Sequence, residues 1–265
     1  MKPDDTASPA SLYPAHLETL RNRFDRALER AGYDSVLIGS GPLCGWYQDD
    51  QTYPFKAYPW FKAWMPLTDV SDCFLHYVPG GRPSLLFHQP VDYWYKPPSA
   101  PQGYWTAHFD VRAVPDRTAA RAALPENLGR TAYLGPMFEE LAGWGLGSLN
   151  PPELLRRIDF ERASKSAYEI ACLREASRLG ARGHAAAVRA FAAGASEFDI
   201  QLAFLDGCGL REQELPYNTI IALNEAAAVL HYQMLERRAP AERHSLLIDA
   251  GAESAGYASD ITRTH

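Results

Sequence analysis

Asp249 and Asp260 are the residues of this sequence whose types and spacing most clearly imply shared chemistry. They lie in SLLIDAGAESAGYASDITRT, residues 245–264, where two strand-like runs flank a Gly-containing turn. A hairpin centred near Ser254 and Ala255 would set the two directly opposite each other, on one face, with Cβ atoms about 5 Å apart. Carboxylates that close repel, so one of them resists ionisation unless a counter-charge arrives. A divalent cation supplies it, and hard carboxylate oxygens suit Mn²⁺, Mg²⁺ or Co²⁺. Thr262 follows Asp260 by two positions, so its hydroxyl shares that face and can orient a carboxylate, while Arg263 points the other way. A plainer reading stays open at this point. An Asp shortly before a Gly at a strand end also serves as a turn or cap residue, a role that fits Asp249 better than Asp260.

The elements that must position this pair follow two helices. Ser166 with Glu169 three positions later forms a capping box, and an apolar stripe from Ile170 to Phe191 continues the helix to Gly194. Ser196 opens a second helix through SEFDIQLAFL. After Pro216, YNTIIAL, VLHYQ, SLLIDAG and GYASDITRT read as strands of an antiparallel sheet, which makes this an α+β domain.

The region before it alternates helix and strand and reads as an α/β domain. Leu17, Leu20, Phe24 and Leu28 predict an amphipathic helix over residues 14–32. Residues 34–40, 84–87 and 131–134 predict strands, and residues 124–128 a link. Residues 41–65, GPLCGWYQDDQTYPFKAYPWFKAWM, are crowded with aromatics and prolines and predict a long irregular loop. The expected domains are 1–160 and 161–265, with the boundary near the Asn150–Pro152 turn.

Composition narrows the function. The 265 residues are 46% hydrophobic and 22% charged, a globular balance with enough apolar content for a sizeable core. The net charge of −6, from 26 basic and 32 acidic residues, argues against a nucleic-acid partner. The opening stretch MKPDDTASPASLYPAHLETL has no apolar signal region, and no apolar run is long enough to span a membrane. Cys44, Cys73, Cys172 and Cys208 form no CxxC pair, so free thiols in a reducing cytoplasm are expected.

IDAGAESAGYASDITRT resembles the metal-binding hairpin of the pita-bread metallopeptidases, which include Xaa-Pro dipeptidase, aminopeptidase P and methionine aminopeptidase. DDQTYPFK, FKAW, PVDYW, SEFDI and ALNEAAAVLHY are similar to segments of bacterial Xaa-Pro dipeptidases and of the related organophosphorus acid anhydrolases. The resemblance covers almost the whole chain. It implies an α/β N-terminal domain of the creatinase type followed by an α+β pita-bread domain, here apparently truncated.

The resemblance further implies two divalent metal ions, Mn²⁺ foremost with Co²⁺, Zn²⁺ or Mg²⁺ as alternatives. Asp249 would hold one and Asp260 would bridge both. A His and two Glu complete the family's ligand set from further along the chain, one Glu being the expected general base. The sequence given stops at His265, which does not sit in the family's His motif. His231 matches the substrate-pocket histidine, Leu230 and Tyr217 match pocket-lining positions, and Asp50 matches an aspartate that reaches the neighbouring subunit's pocket in relatives. His16, His76, His88, His108, His184 and His244 have no such match. The implied activity is that of an omega peptidase: hydrolysis of Xaa-Pro dipeptides by a metal-bridging hydroxide, in a cytoplasmic homodimer, with no nucleic-acid or membrane partner. The 265-residue chain alone is expected to be inactive. An aminopeptidase P or creatinase activity, a phosphotriesterase side activity, or a peptide-binding module without metals are the rival expectations.

Overall fold

The structure is a computed structural model that describes residues 8–265. Residues 1–7, which open the N-terminal stretch read above for a signal, lie outside the described residues. The chain divides into two compact units between Tyr168 and Glu169.

The first unit opens with α1 (Pro9–Ala31). It starts earlier than the apolar periodicity alone predicts. Ser8 accepts a hydrogen bond from the Ser11 amide at 3.4 Å, and a proline in the first helical turn loses no internal bond. Gly32 ends it at φ 77°. The strands are β1 (Ser35–Gly39), β2 (Phe74–Tyr77), β3 (Ser84–His88), β4 (Asp110–Val114), β5 (Thr131–Leu134) and β6 (Ser148–Leu149). They form one sheet in the order β4-β3-β2-β1-β5-β6, antiparallel at β1–β2 and β2–β3 and parallel elsewhere. The central strand β1 is buried along its whole length. Leu37, Phe74, Leu86, Tyr133 and Trp144 share one core cluster.

Residues 41–65 are not irregular throughout. The loop runs to Tyr58, pinched by a bridge between Gly45 and Thr52, and then forms α2 (Pro59–Trp64). Proline was expected to break structure here, yet at the first helical turn it starts a helix instead. Trp60 and Trp64 of α2 stack edge-on against Phe24 of α1. Asp50 sits exposed at the tip of the loop, and the Tyr95 hydroxyl donates to its carbonyl at 3.3 Å. The remaining helices of this unit are α3 (Arg117–Ala122) and α4 (Pro152–Arg162). Residues 124–128 form no regular element. The indole of Trp60 donates to Asp159 of α4 at 2.9 Å and Arg26 to Glu161 of α4 at 2.8 Å, which binds α4 into the first unit.

The second unit is α+β. α5 (Ala167–Ala192) is continuous past Gly180 and Gly183, and Gly194 takes φ 92° just after it. α6 (Glu197–Cys208) is capped by Ser196, whose hydroxyl accepts from the Asp199 amide at 3.2 Å. The strands β7 (Ile220–Leu223) and β8 (Leu246–Asp249), the short ribbon β9 (Glu253–Ser254) with β10 (Tyr257–Ala258), and β11 (Thr262–Thr264) complete it. β8 lies between β7 and β11, antiparallel to both. Phe204 of α6 packs with Ile221, Leu246 and Ile248 of the sheet.

VLHYQ, expected as a strand, is not one. A short 3₁₀ turn at Asn224–Ala228 precedes it, and residues 229–233 run on as an exposed loop. Asn224, at φ 53°, turns the chain away from the sheet. Its side chain accepts from the His244 amide and donates to the Glu242 carbonyl, each at 2.8 Å, so the strand after β7 becomes β8 directly. A β-prone composition becomes a strand only where the chain lays it beside another, and this turn carries it off the sheet.

Candidate metal centre

The hairpin turns on Ala255 at φ 51° and Gly256 at φ 87°, the paired left-handed conformation of a two-residue hairpin turn. Tyr257 therefore opposes Ser254, and Thr262 opposes Asp249. The expected direct opposition of Asp249 and Asp260 is thus corrected. The turn sits one residue later than Ser254 and Ala255, because Gly256 accepts a positive φ at no steric cost. The ladder continues through the Ala250 amide to the Ile261 carbonyl at 3.1 Å and the Ser259 amide to the Ala252 carbonyl at 2.9 Å, which sets Asp260 against Gly251. Moving the centre by one residue moves each partner by two. Side-chain parity survives, so the two aspartates stay on one face as diagonal neighbours.

Gly251 makes that diagonal usable. A Cβ at this position would lie 2.0 Å from the Ser259 carbonyl oxygen and 2.9 Å from the Tyr217 ring. Without one, Tyr217 comes in over the strand and its hydroxyl donates to Asp260 Oδ1 at 3.2 Å. The phenol is pushed well above its ordinary range, first by burial, then by hydrogen bonding to Asp249 and by the charges of Asp249 and Asp260. It stays protonated as a donor shared between the carboxylates. Thr262 Oγ1 donates to Asp249 Oδ2 at 2.7 Å, which fixes that carboxylate's plane. Asp249 is half-buried and Asp260 exposed.

The hairpin is seated on one face of α5, at Glu169, Ala176, Gly180 and His184. The Tyr257 hydroxyl donates to Glu169 at 3.3 Å, and Ser259 Oγ donates to the Ala176 carbonyl at 3.1 Å. His184 Nε2 lies 3.0 Å from the Ala250 carbonyl. Burial lowers the His184 pKa, so the ring is neutral and donates from Nε2, leaving a buried Nδ1 without a partner. From the sequence Glu169 reads only as a capping-box partner and His184 only as a histidine without a site match, and neither is placed against the hairpin. The spacing of Glu169, Ala176, Gly180 and His184 along one helix face was the available signal, hidden because each residue alone is unremarkable.

The structure thus gathers Asp249, Asp260, Tyr217 and Thr262. It does not add His231 or Leu230, which stand exposed on the loop after residues 224–228, and Asp50 belongs to the first unit. Among the described residues no basic side chain pairs with either aspartate, and no three His, Cys, Asp or Glu side chains gather as a metal site. The donor set suits a hard divalent cation: two neighbouring carboxylates that pair with no basic side chain among the described residues, one of them oriented by a hydroxyl. Two carboxylates supply only part of the shell such an ion takes.

Two family models match the chain. Residues 11–160 match the Xaa-Pro dipeptidase N-terminal domain, and residues 171–265 match metallopeptidase family M24. The Xaa-Pro dipeptidase of Edwardsiella ictaluri is 48% identical over 258 residues, covering 97% of this chain and 58% of that protein. That of Stenotrophomonas maltophilia is 46% identical over 257 residues, with the same coverage. The chain therefore spans somewhat more than half the length of these relatives. Among solved structures, proline aminopeptidase P II from Yersinia pestis superposes with a TM-score of 0.69 at 23% identity, over 94% of this chain and 62% of that one. The Pseudomonas aeruginosa aminopeptidase PepP gives 0.70 at 19% identity, over 94% and 61%. At these identities the superpositions establish the fold, an N-terminal domain followed by a pita-bread domain.

Proposed function

Since the chain belongs to the Xaa-Pro dipeptidases of metallopeptidase family M24, we propose that its protein hydrolyses dipeptides at the bond to a C-terminal proline, using two divalent cations held in part by Asp249 and Asp260. The observation that carries this reading is the uncompensated carboxylate pair, converging with Tyr217 in the segment that matches the metallopeptidase family. Mn²⁺ is the favoured ion for these carboxylate donors, and Co²⁺, Zn²⁺ and Mg²⁺ are its competitors. When bound, the cations supply Lewis acidity toward water and the scissile carbonyl.

The chain's own residues do the positioning. Thr262 holds the Asp249 carboxylate in one orientation, and Tyr217 keeps a proton between the two aspartates. His231 and Leu230, on an exposed loop, are the residues for contact with substrate. The bond to proline is a tertiary amide with no N–H, so the enzyme must grip the acyl side and the carboxylate rather than an amide proton. Asp50 and the exposed aromatics around it, Trp46, Tyr47 and Tyr53, support a role for that loop in a homodimer. No helix among the described residues is long and apolar enough to cross a membrane. All four cysteines are free thiols, which supports a cytoplasmic setting.

The test is a comparison of Ala-Pro with a longer peptide bearing Xaa-Pro at its N-terminus, with Mn²⁺ present, for the protein at the length of its relatives. The expected result is rapid cleavage of the dipeptide and little of the longer peptide. Cleavage of the longer peptide alone would assign an aminopeptidase P activity instead. With two acidic ligands in hand, the 265-residue chain by itself is expected to turn over neither substrate.

A further inference from the structure

Glu197 is the first residue of α6 and is 3% exposed, an unusual burial for a carboxylate. Its Oε1 accepts the Leu223 amide at 2.8 Å. Its Oε2 accepts the Tyr232 hydroxyl at 2.7 Å and the Glu236 amide at 2.9 Å. Three donors converge on one group, whose two oxygens accept from all of them. The first turn of a helix is where a negative charge is best tolerated. Glu197 thereby ties together the start of α6, the end of β7 and the loop over residues 229–236.

Over residues 229–234 that loop has little else to hold it, and beyond them Leu235 packs against the core of the second unit. Leu230 is 87% and Met234 73% exposed, and His231 is exposed between them. The other anchors cluster at the loop's far end: the Phe198 amide donates to the Glu236 carbonyl at 3.2 Å, and the Arg237 guanidinium lies 3.9 Å from the centre of the Phe198 ring. Asn218 reaches Gln233 at 3.4 Å. A cavity of about 230 Å³, lined by Glu197, Tyr232, Glu236 and Arg238 among others, opens beside the tie, so packing leaves room for the loop to relax. Tyr232, next to His231 in sequence, is therefore fixed chiefly by its bond to Glu197.

We propose that Glu197 is a positioning residue that sets the conformation of the His231 loop through Tyr232 and Glu236, and so presents His231 for substrate. The value of this to catalysis rests on the dipeptidase reading above, whereas the tie itself does not. Glu197→Gln replaces one acceptor oxygen with an N–H₂ that meets the incoming donors, and Tyr232→Phe removes one donor with minimal change of shape.

The experiment is hydrogen–deuterium exchange of the 265-residue chain and both variants, with the ring signals of ¹³C-labelled His231 read by NMR, and with neither metal nor substrate present. In Glu197→Gln the amides of residues 229–236 should exchange roughly tenfold faster or more, while the interiors of α5, α6 and β8 keep their protection. Tyr232→Phe should give a smaller change in the same segment, and in both the His231 signal should move toward that of a free histidine. Unchanged exchange over residues 229–236 in Tyr232→Phe, or in both variants, would overturn the proposal. So would an equal loss of protection throughout the unit, which would make Glu197 a support of the whole domain. Failure of the peptidase assay would leave this outcome untouched, so the two readings fail separately.

Discussion

Asp249, Asp260 and Thr262 share one face of the hairpin, and Tyr217 reaches that face from the segment before β7. Thr262 and Tyr217 each supply a hydroxyl proton to a carboxylate, so the aspartates are oriented before any cation arrives. Replacing Thr262 with Val keeps the β-branched shape and removes the donor to Asp249. Mn²⁺ affinity should fall roughly tenfold or more, with the far-ultraviolet circular dichroism unchanged. An unaltered affinity by calorimetric titration would show that the hydroxyl does not orient the ligand. A second titratable site lies in the first unit. His76 Nε2 is buried without a partner, beside a cavity also lined by Asp110 and Arg112, and burial lowers its pKa from 6.5. The unfolded chain therefore binds a proton more readily than the folded one. The stability His76 leaves intact above pH 6.5 is lost as pH falls from there toward the lowered native value. Between pH 7.5 and 5.5 the wild type should lose more thermal stability than His76→Gln, and equal losses by scanning calorimetry would contradict this. At this scale the sequence made the aspartates legible, because strand parity survives an error in the turn. It hid Thr262's true partner, because that depends on where the turn falls, and it hid His184, whose role exists only once α5 lies against the hairpin.

The long helix α5 is the support on which the hairpin and α6 are laid. Gly180 and Gly183 interrupt its sequence without interrupting its backbone, although glycine costs about 1 kcal/mol relative to alanine in a helix. Close approach explains why Gly183 is there: a Cβ would meet Cys208 Sγ at 2.4 Å and the Phe204 ring at 2.7 Å, both buried on α6. Gly183→Ala should thus destabilise the second unit by about 1–3 kcal/mol despite its better helix propensity. Denaturant unfolding that showed a gain would mean the two helices can separate freely. Elements whose fate depends on local signals were legible, such as α6 with its serine cap and the β5 segment at Thr131–Leu134. Those whose fate depends on neighbours were not. α2 begins at a proline that reads as a breaker, and VLHYQ has a strand's composition but is carried off the sheet by the turn at Asn224.

Across the whole molecule, two units with separate cores match two family models over 11–160 and 171–265, and the chain spans 58% of the length of its Xaa-Pro dipeptidase relatives. The α/β and α+β classes were legible throughout, because helix and strand periodicities alternate in the first unit and segregate in the second. The site was legible only as a pair, since the sequence presents two carboxylates and the family resemblance implies five ligands. The account stands on that pair being a divalent-cation site. Its most direct test is a Mn²⁺ titration of the 265-residue chain followed by the loss of the free-ion electron paramagnetic resonance signal, beside Asp249→Asn and Asp260→Asn. Weak binding by the wild type that either substitution abolishes is the predicted result. Binding of equal strength in all three proteins would contradict the account.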